Sequence, residues 1–417
     1  MTKLNELLIK YAKLIVRVGA NVQKDQRVLI TSSTDNNEFA RLIVKEAYKA
    51  GAKEVSLSWY DDEIALLNAI NQDIETFKEV PNYLVEMFKH YKDEEFAHIH
   101  IASENPGLFK DVDSNKLMAR RRSRKEKLSF FDDFMMSNGS QWTIAAVPNP
   151  TWAMKVFPDS ESVEAAMVKL WGAILQACRV TTDNDPVVEW EKHNQALRKH
   201  NQLLNDHNFK YLHFKNSLGT DLTVELIKDH IWLGGAEKTQ KGVFFNANIP
   251  TEETFTMPYK FGTQGKVVAT KPLNYEGKLI EDFYLVFKDG KVVEYDAKRE
   301  KVALESLLNT DQGSKYIGEI ALISHDSPIS KMNILFYETL FDENASCHMA
   351  LGKAYPINIK GGPDMEMEAL EALGYNNSVN HVDFMFGSSD MEIIGEKESG
   401  EKVKIFEKGN FIIWERE

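Results

Sequence analysis

The first 180 residues alternate short apolar runs with longer segments of helical spacing, and this rhythm constrains the fold more than any other feature. The predicted strands are Arg27–Thr31, Glu54–Tyr60, Ala97–Ile101 and Trp142–Val147. Helical spacing from Glu38 to Ala50 ends at Gly51, a residue typical of helix C-termini. Strands and helices in this order predict a Rossmann-like α/β domain with a parallel sheet and helical crossovers. Because no glycine-rich phosphate loop follows these strands, no dinucleotide site is predicted.

The pattern changes after a helix that Asp185 and Pro186 are expected to begin as N-cap and first helical residue. Further on, Asp289-Gly290 separates two apolar runs and predicts a β-hairpin. The C-terminal half is therefore expected to be β-rich and of the α+β class. A chain of 417 residues is too long for one ordinary core. The predicted division is an N-terminal α/β domain of residues 1–185 and a C-terminal domain of residues 186–417.

Charge and cysteine content exclude several function classes. The net charge of −13 repels phosphate backbones, so nucleic acid is not an expected partner. Two cysteines, Cys178 and Cys347, make neither a disulfide framework nor a structural zinc cage, and they suit a reducing cytoplasm. We also predict no signal peptide, and no membrane partner because no run of 18 apolar residues occurs.

Common hydrolase signatures are absent from the sequence. It contains neither a His-Glu-x-x-His zinc helix nor a Gly-x-Ser-x-Gly nucleophile elbow. Carboxylates and histidines occur instead in segments that are predicted to be buried, where apolar residues would be usual. In the predicted strand His381–Gly387, a period of two places His381 and Asp383 on one face, close enough to bind one ion. The alternative for this segment alone is a polar strand face that meets water.

Glu319 lies in the middle of a buried-strand pattern, Tyr316–Ile323. An unpaired buried carboxylate is costly, so this side chain needs a partner, for which a divalent cation is a strong candidate. The alternatives are an edge strand, which would expose the carboxylate, or a salt bridge. A proline turn ahead of it presents the paired carboxylates Glu252 and Glu253. Taken alone, that turn is equally consistent with an acidic surface.

Glu343 and His348 lie in a segment of small residues that is predicted to form a turn followed by a short helix. If that helix continues, Tyr355 lies seven residues after His348 and shares its face. The alternative is a capped helix in which the histidine has hydrogen-bond partners and binds no metal. Considered together, these carboxylates and histidines favour a two-metal hydrolase, because such sites combine many carboxylates with few histidines.

Several long motifs resemble the family of aminopeptidase T, aminopeptidase S and PepS. The stretches that carry this resemblance are Ile249–Glu253, Gly318–Leu322, Ser327–Ser330, Thr339–His348 and His381–Gly387. The resemblance covers essentially the whole chain. It implies a cytoplasmic metalloexopeptidase that removes N-terminal amino acids from peptides with broad preference. It also implies a homodimer whose active sites face an enclosed cavity.

The same resemblance implies a set of site residues in the C-terminal domain. Matched position by position, the metal ligands are Glu253, Glu319, His348, His381 and Asp383, with Glu343 as a sixth. The family motif places its ligand on the second glutamate of the pair, which selects Glu253 over Glu252. The site tyrosine falls on Tyr355. The implied cofactor is two divalent ions per subunit, with zinc as the first candidate and cobalt or magnesium as alternatives.

The expected mechanism is hydrolysis by a water held between the two ions. Glu253 or Glu319 would carry its proton, and Tyr355 would donate a hydrogen bond to the oxyanion. Met257 and Tyr259 depart from the family pattern and are candidates for the lining of the substrate pocket. The alternatives are another two-metal amide hydrolase and a non-catalytic metal-binding protein on the same scaffold. Histidines predicted not to be ligands are His98, His100, His193, His200, His207, His213, His230 and His325.

Overall fold

The computed structural model describes residues 3–103, 105, 107–109, 111–275 and 278–413. The α-helices are α1 (Lys3–Leu14), α2 (Asn37–Ala50), α3 (Asp62–Asn71), α4 (Ile74–Phe77), α5 (Asn82–Asp93), α6 (Ser114–Met136), α7 (Pro150–Val156), α8 (Val163–Ala177), α9 (Pro186–His207), α10 (Lys301–Leu308), α11 (Pro328–Met332), α12 (Thr339–Asp342) and α13 (Met367–Leu373). Among these described helices, none is long and apolar enough to cross a membrane.

The strands vary from two residues to the eleven residues of Lys278–Lys288. They are β1 (Arg27–Ser33), β2 (Glu54–Tyr60), β3 (Ala97–Ala102), β4 (Trp142–Ala146), β5 (Tyr211–Lys215), β6 (Asp221–Glu225), β7 (Glu237–Lys238), β8 (Phe244–Phe245), β9 (Asn248–Ile249), β10 (Thr254–Thr256), β11 (Gln264–Val268), β12 (Leu273–Tyr275), β13 (Lys278–Lys288), β14 (Lys291–Arg299), β15 (Ile317–Leu322), β16 (His348–Gly352), β17 (His381–Met385), β18 (Glu392–Glu396), β19 (Lys402–Glu407) and β20 (Asn410–Phe411).

The chain divides into two compact units. The first comprises Met1–Lys192 and Ala236–Pro250, and the second comprises His193–Gly235 and Thr251–Glu417. Residues 236–250 therefore belong with the N-terminal part, so the first unit is made of two separate stretches of sequence. The segment contains only strands of two residues, too short to leave a hydrophobic pattern. The division into domains at residues 185 and 186 stays a prediction.

The first unit is built on a five-stranded sheet in the order β2-β1-β3-β4-β9. Each neighbouring pair in this sheet is parallel. Gly51 adopts a left-handed conformation with φ of 101° and ends α2, as its position in the sequence predicts. The predicted α/β fold with a parallel sheet is confirmed.

The second unit is β-rich and antiparallel. A nine-stranded sheet contains the β13–β14 hairpin, and a four-stranded sheet has the order β10-β15-β16-β17. Asp289 and Gly290 join the hairpin with φ values of 51° and 77°, and a tight two-residue turn requires positive φ at both positions. The predicted β-rich α+β character of the C-terminal half is confirmed.

The four-stranded sheet has one apolar face and one polar face. The side chains of its apolar face belong to the large hydrophobic core of this unit; they are Ile320, Leu322, Met349, Leu351 and Phe384. Because successive side chains of a strand point to opposite faces, the residues between them point away from this core. The polar face that results is where the candidate site lies.

Candidate metal centre

The register of the four-stranded sheet brings two predicted ligands onto one face. Glu319 of β15 stands opposite Ala350 of β16, and Ala350 stands opposite Asp383 of β17. Residues directly opposite each other in an antiparallel sheet point to the same face. The two carboxylates therefore flank the small side chain of Ala350, which leaves space between them.

The two histidines join the same face from neighbouring positions. His348 precedes Ala350 by two residues in β16, and His381 stands opposite Gly352. Gly352 has φ of 112°, and a Cβ atom there would lie 2.3 Å from the carbonyl oxygen of Asn380. Only glycine fits this position. Glu253 lies directly before β10, at the edge of the same sheet.

The predicted helix at His348 is wrong. Helix α12 passes into a 3₁₀ turn, Glu343–Ala345, and His348 then begins strand β16. This strand is hydrogen-bonded to β15 on one side and β17 on the other, so tertiary pairing overrides the local pattern. Tyr355 consequently shares no helix face with His348. It lies after the strand, immediately before the 3₁₀ turn Pro356–Asn358.

Five of the six predicted ligands form two overlapping triads. In the first triad, His348 Nε2 is 3.3 Å from Glu253 Oε2 and 3.3 Å from Glu319 Oε1. In the second, His381 Nε2 is 3.7 Å from Glu319 Oε2 and 3.5 Å from Asp383 Oδ1. Within each triad the ligand atoms lie within 4.8 Å of one another. Glu319 belongs to both triads and faces each histidine with a different oxygen.

Backbone carbonyl groups orient both imidazole rings. His348 Nδ1 lies 2.7 Å from the carbonyl oxygen of Glu343, and His381 Nδ1 lies 2.7 Å from that of Lys353. Because a carbonyl oxygen only accepts, each Nδ1 carries a hydrogen and donates it. Each Nε2 is then directed at the carboxylates. Metal-binding histidines in proteins are commonly fixed by such a second hydrogen bond.

Burial and mutual repulsion dominate the electrostatics of this face. Burial raises the pKa of Glu319, against the opposing effect of the hydrogen bond from His348. Burial also disfavours the charged form of His381, but the carboxylates of Asp383 and Glu319 outweigh it and raise the pKa to about 9. Burial acts against the charge of Asp383 too, yet the two histidines lower its pKa overall. The carboxylates thus require positive charge close by.

A divalent cation fits this donor set. Asp383 Oδ1 is buried and has no hydrogen-bond donor among the described residues. The Nε2 atoms of His381 and His348 lie 3.5 Å and 4.0 Å from it. A cation between these atoms would satisfy the orphaned oxygen and offset the carboxylate charge. Imidazole nitrogens together with carboxylate oxygens suit zinc and related divalent ions.

Glu343, the sixth predicted ligand, lies next to the triads rather than in one. It is not part of either group of ligand atoms within 4.8 Å. Burial raises its pKa well above the usual range, and the charges of Glu253 and Asp383 add to this effect. Its side chain lines the same cleft as Asp383.

The ring of Tyr355 lies against the imidazole of His381, with 4.6 Å between the ring centroids. Burial raises the pKa of its phenol above the usual range, and the charges of Glu319 and Asp383 reinforce this shift. The hydroxyl group therefore keeps its proton and can donate a hydrogen bond.

A cleft opens beside the triads. Its lining residues are Pro272, Leu273, Asn274, Leu335, Tyr337, Glu338, Thr339, Asp342, Glu343, Asp383 and Met385. Asp342 shapes one wall, because its carboxylate accepts hydrogen bonds from the backbone N–H groups of Phe336 and Glu338 at 2.7 Å and 3.1 Å. Sequence reasoning missed this cleft, since its walls come from segments that are distant in sequence.

The structure corrects the expectation for Met257, whereas that for Tyr259 stays a prediction. Met257 is fully buried in a small hydrophobic cluster with Ile227 and Ala354, and Tyr259 packs against that cluster. Neither residue lines the cleft. Glu252 is likewise directed elsewhere, with its Oε2 atom 3.8 Å from His193 Nε2. The histidines predicted not to be ligands lie in neither triad.

Comparison with known proteins also supports a metal site. Residues 4–411 match the profile of peptidase M29, described as thermophilic metalloprotease. The chain belongs to this family. Aminopeptidase AmpS of Bacillus subtilis (strain 168) is 43% identical over 411 residues, which are 99% of this chain and 100% of that protein. Aminopeptidase T of Thermus thermophilus is 36% identical, over 97% of this chain and 98% of that protein. The family predicted from the motifs is confirmed.

A solved structure of another M29 member has the same fold. Wild-type AmpT from Thermus thermophilus superimposes with a TM-score of 0.91 at 35% identity, covering 98% of this chain and 99% of that chain. A 2,5-dihydroxypyridine dioxygenase from Pseudomonas putida KT2440 superimposes with a TM-score of 0.55 at 11% identity, covering 99% and 98%. At that identity the second likeness concerns the fold alone.

Substitution of the shared ligand and of a ligand in one triad should change metal content differently. We expect His381→Ala to lose the cation of the second triad. Glu319→Gln should weaken the binding of both cations, because Glu319 faces both histidines. Metal per subunit is measured by elemental analysis after chelation and reloading. His213→Ala is the matched control, since His213 Nε2 pairs with Glu396 Oε2 at 2.9 Å outside the site. Equal metal loss in the control and in Glu319→Gln would contradict the assignment.

Proposed function

We propose that this protein is a metal-dependent aminopeptidase with two divalent cations per subunit, one in each triad. The observation that carries this proposal is the placement of Glu319, whose two oxygens face two different histidines. One carboxylate that faces two adjacent ligand groups suits a dinuclear hydrolase, in which two metal ions lie about 3.5–4 Å apart. Glu253, His348, His381 and Asp383 complete the triads, and Glu343 is the proposed sixth ligand. Zinc is the proposed native metal because the donors are imidazole and carboxylate.

When bound, such cations lower the pKa of a coordinated water and polarise the carbonyl group of the substrate. The protein supplies the remaining steps. The carboxylate of Glu319 faces both histidines, whereas that of Glu253 faces His348. Glu253 is therefore the better placed of the two to take a proton from the attacking water and to deliver it to the leaving amine.

Tyr355 is the proposed donor to the oxyanion. Its phenol stays protonated at neutral pH, and its ring is held against His381 beside the second triad. A donor fixed in place before the reaction stabilises charge that develops only in the transition state. The peptide would lie in the cleft that Asp383 and Glu343 border. The acidic wall of this cleft favours the positive charge of a free α-amine.

The assembly and location that we propose follow the family resemblance. We propose a cytoplasmic homodimer that binds neither nucleic acid nor membrane. Both cysteines are free and buried, which is compatible with a reducing compartment. The net charge of −13 opposes binding to phosphate backbones.

A panel of peptides with free and blocked N-termini tests the proposed activity. The protein should release the N-terminal residue from free peptides, and acetylation of the α-amine should abolish release because the amine no longer carries charge. A chelator should stop the reaction while the circular dichroism spectrum stays folded, and added zinc or cobalt should restore it. Equal hydrolysis of blocked amides would indicate another amide hydrolase. Metal binding without hydrolysis would indicate a non-catalytic protein.

Tyr355→Phe removes the proposed oxyanion donor but keeps the ring that packs on His381. We expect kcat to fall about 100-fold, with a much smaller change in KM, because the hydrogen bond strengthens only in the transition state. Steady-state kinetics on one aminoacyl substrate measures both constants. An unchanged kcat would remove Tyr355 from the mechanism.

A further inference from the structure

The peptide group between Thr251 and Glu252, one residue before Glu253, is held at both ends by side chains from other segments. His193 Nε2, on α9, lies 2.7 Å from the carbonyl oxygen of Thr251. The N–H group of Glu252 donates to Asn344 Oδ1 at 2.7 Å. This carbonyl and this N–H belong to the same peptide bond. We call His193 and Asn344 the peptide clamp.

The direction of each hydrogen bond in the peptide clamp follows from its partners. The Thr251 carbonyl can only accept, so His193 Nε2 carries the hydrogen. Asn344 Nδ2 donates to the carbonyl oxygen of Leu340 at 3.1 Å and lies 3.5 Å from Glu343 Oε1. This contact orients the amide, so that its oxygen faces Glu252. All of these groups lie within the second unit.

The peptide clamp is shielded from water. Asn344 is 0% exposed, and Thr251 and Glu252 are 4% and 7% exposed. The side chain of His193 is 11% exposed. Buried hydrogen bonds cannot be replaced by water when a partner is removed, so loss of either side chain leaves an unsatisfied group on the peptide.

The sheet does not hold this peptide itself. Strand β10 pairs with β15 from Thr254 onward, so Glu253 lies just outside the ladder. A packing contact acts from another direction: a Cβ atom at Gly234 would lie 2.1 Å from the carbonyl oxygen of Glu253. Asn344 also follows Glu343 directly in the chain. The peptide clamp therefore ties the turn that carries Glu253 to the turn that carries Glu343.

We propose that His193 and Asn344 are positioning residues that place the carboxylate of Glu253 in the first triad. The inference rests on the proposed function, because it assigns Glu253 to a cation. The contacts of both side chains described above are with the backbone before Glu253 rather than with the ligand atoms of the triads. They act through the backbone, in the way that outer hydrogen bonds orient metal ligands in other sites.

The test measures the dissociation constant of each cation on the metal-free protein, by competition with a chromogenic chelator. We expect His193→Leu and Asn344→Ala to raise the dissociation constant of one cation about 10- to 100-fold, with little change for the other. The visible absorption of the cobalt-loaded protein should change as well. His193→Gln keeps a side-chain N–H donor and should recover most of the affinity. Because both residues hold one peptide, the double variant should lose less than the product of the single losses.

Asn216→Ala is the control for a merely structural effect. The Oδ1 atom of Asn216 accepts hydrogen bonds from the backbone N–H groups of Leu218 and Thr220, in the turn between β5 and β6. This variant should lower the melting temperature and leave both dissociation constants unchanged. If Asn344→Ala does not fold, the comparison of His193→Leu with His193→Gln makes the same test.

Unchanged dissociation constants in folded His193→Leu and Asn344→Ala would overturn the peptide clamp, as would an equal loss of affinity in Asn216→Ala. Failure of the proposed function gives a different result. A wild-type protein that binds two cations but cleaves no peptide would contradict the aminopeptidase, while the affinities would still decide the role of His193 and Asn344.

Discussion

The structure of the second unit depends on one constraint, which is that several carboxylates share a buried surface with two imidazoles. Like charges in a medium of low polarity repel strongly, and burial adds the cost of lost hydration. The pKa values of Glu319 and Glu343 are raised for this reason. The protein tolerates the arrangement because the opposite face of the same sheet is locked into a hydrocarbon core. A cation in each triad would then offset the charge that the fold has concentrated.

The predicted ligands are carried partly by the strands of the four-stranded sheet and partly by the turns next to it. Strands β15, β16 and β17 place Glu319, His348, His381 and Asp383 on one face by register, and backbone carbonyl groups orient the two imidazole rings. The turns next to the sheet carry Glu253 and Glu343, and residues 272–274, 335–343 and β17 contribute the lining of the cleft beside them. The backbone of residues on paired strands is held by the ladder. Residues on turns need added hydrogen bonds, and the contacts of His193 and Asn344 with the peptide before Glu253 have this character.

Period-two and turn signals in the sequence were sufficient for strands β1 to β4, for the β13–β14 hairpin and for the face that His381 shares with Asp383. The strand at His348 was missed because its small residues resemble a helix start, and its pairing partners lie about 30 residues away on either side. Five ligands come together as the family resemblance implies, but composition alone left each with a credible alternative. Met257 was misplaced because a motif departure does not reveal whether a side chain faces core or cleft. The cleft and the contacts of His193 and Asn344 join distant segments, so no local pattern signals them.

Anomalous X-ray diffraction at the absorption edge of zinc, on crystals of the zinc-loaded protein, tests the central claim most directly. Two anomalous peaks per subunit are expected, one among Glu253, Glu319 and His348 and the other among Glu319, His381 and Asp383. Each peak should lie next to a different oxygen of Glu319. A single peak, or peaks outside these two triads, would contradict the two-metal site and the mechanism built on it.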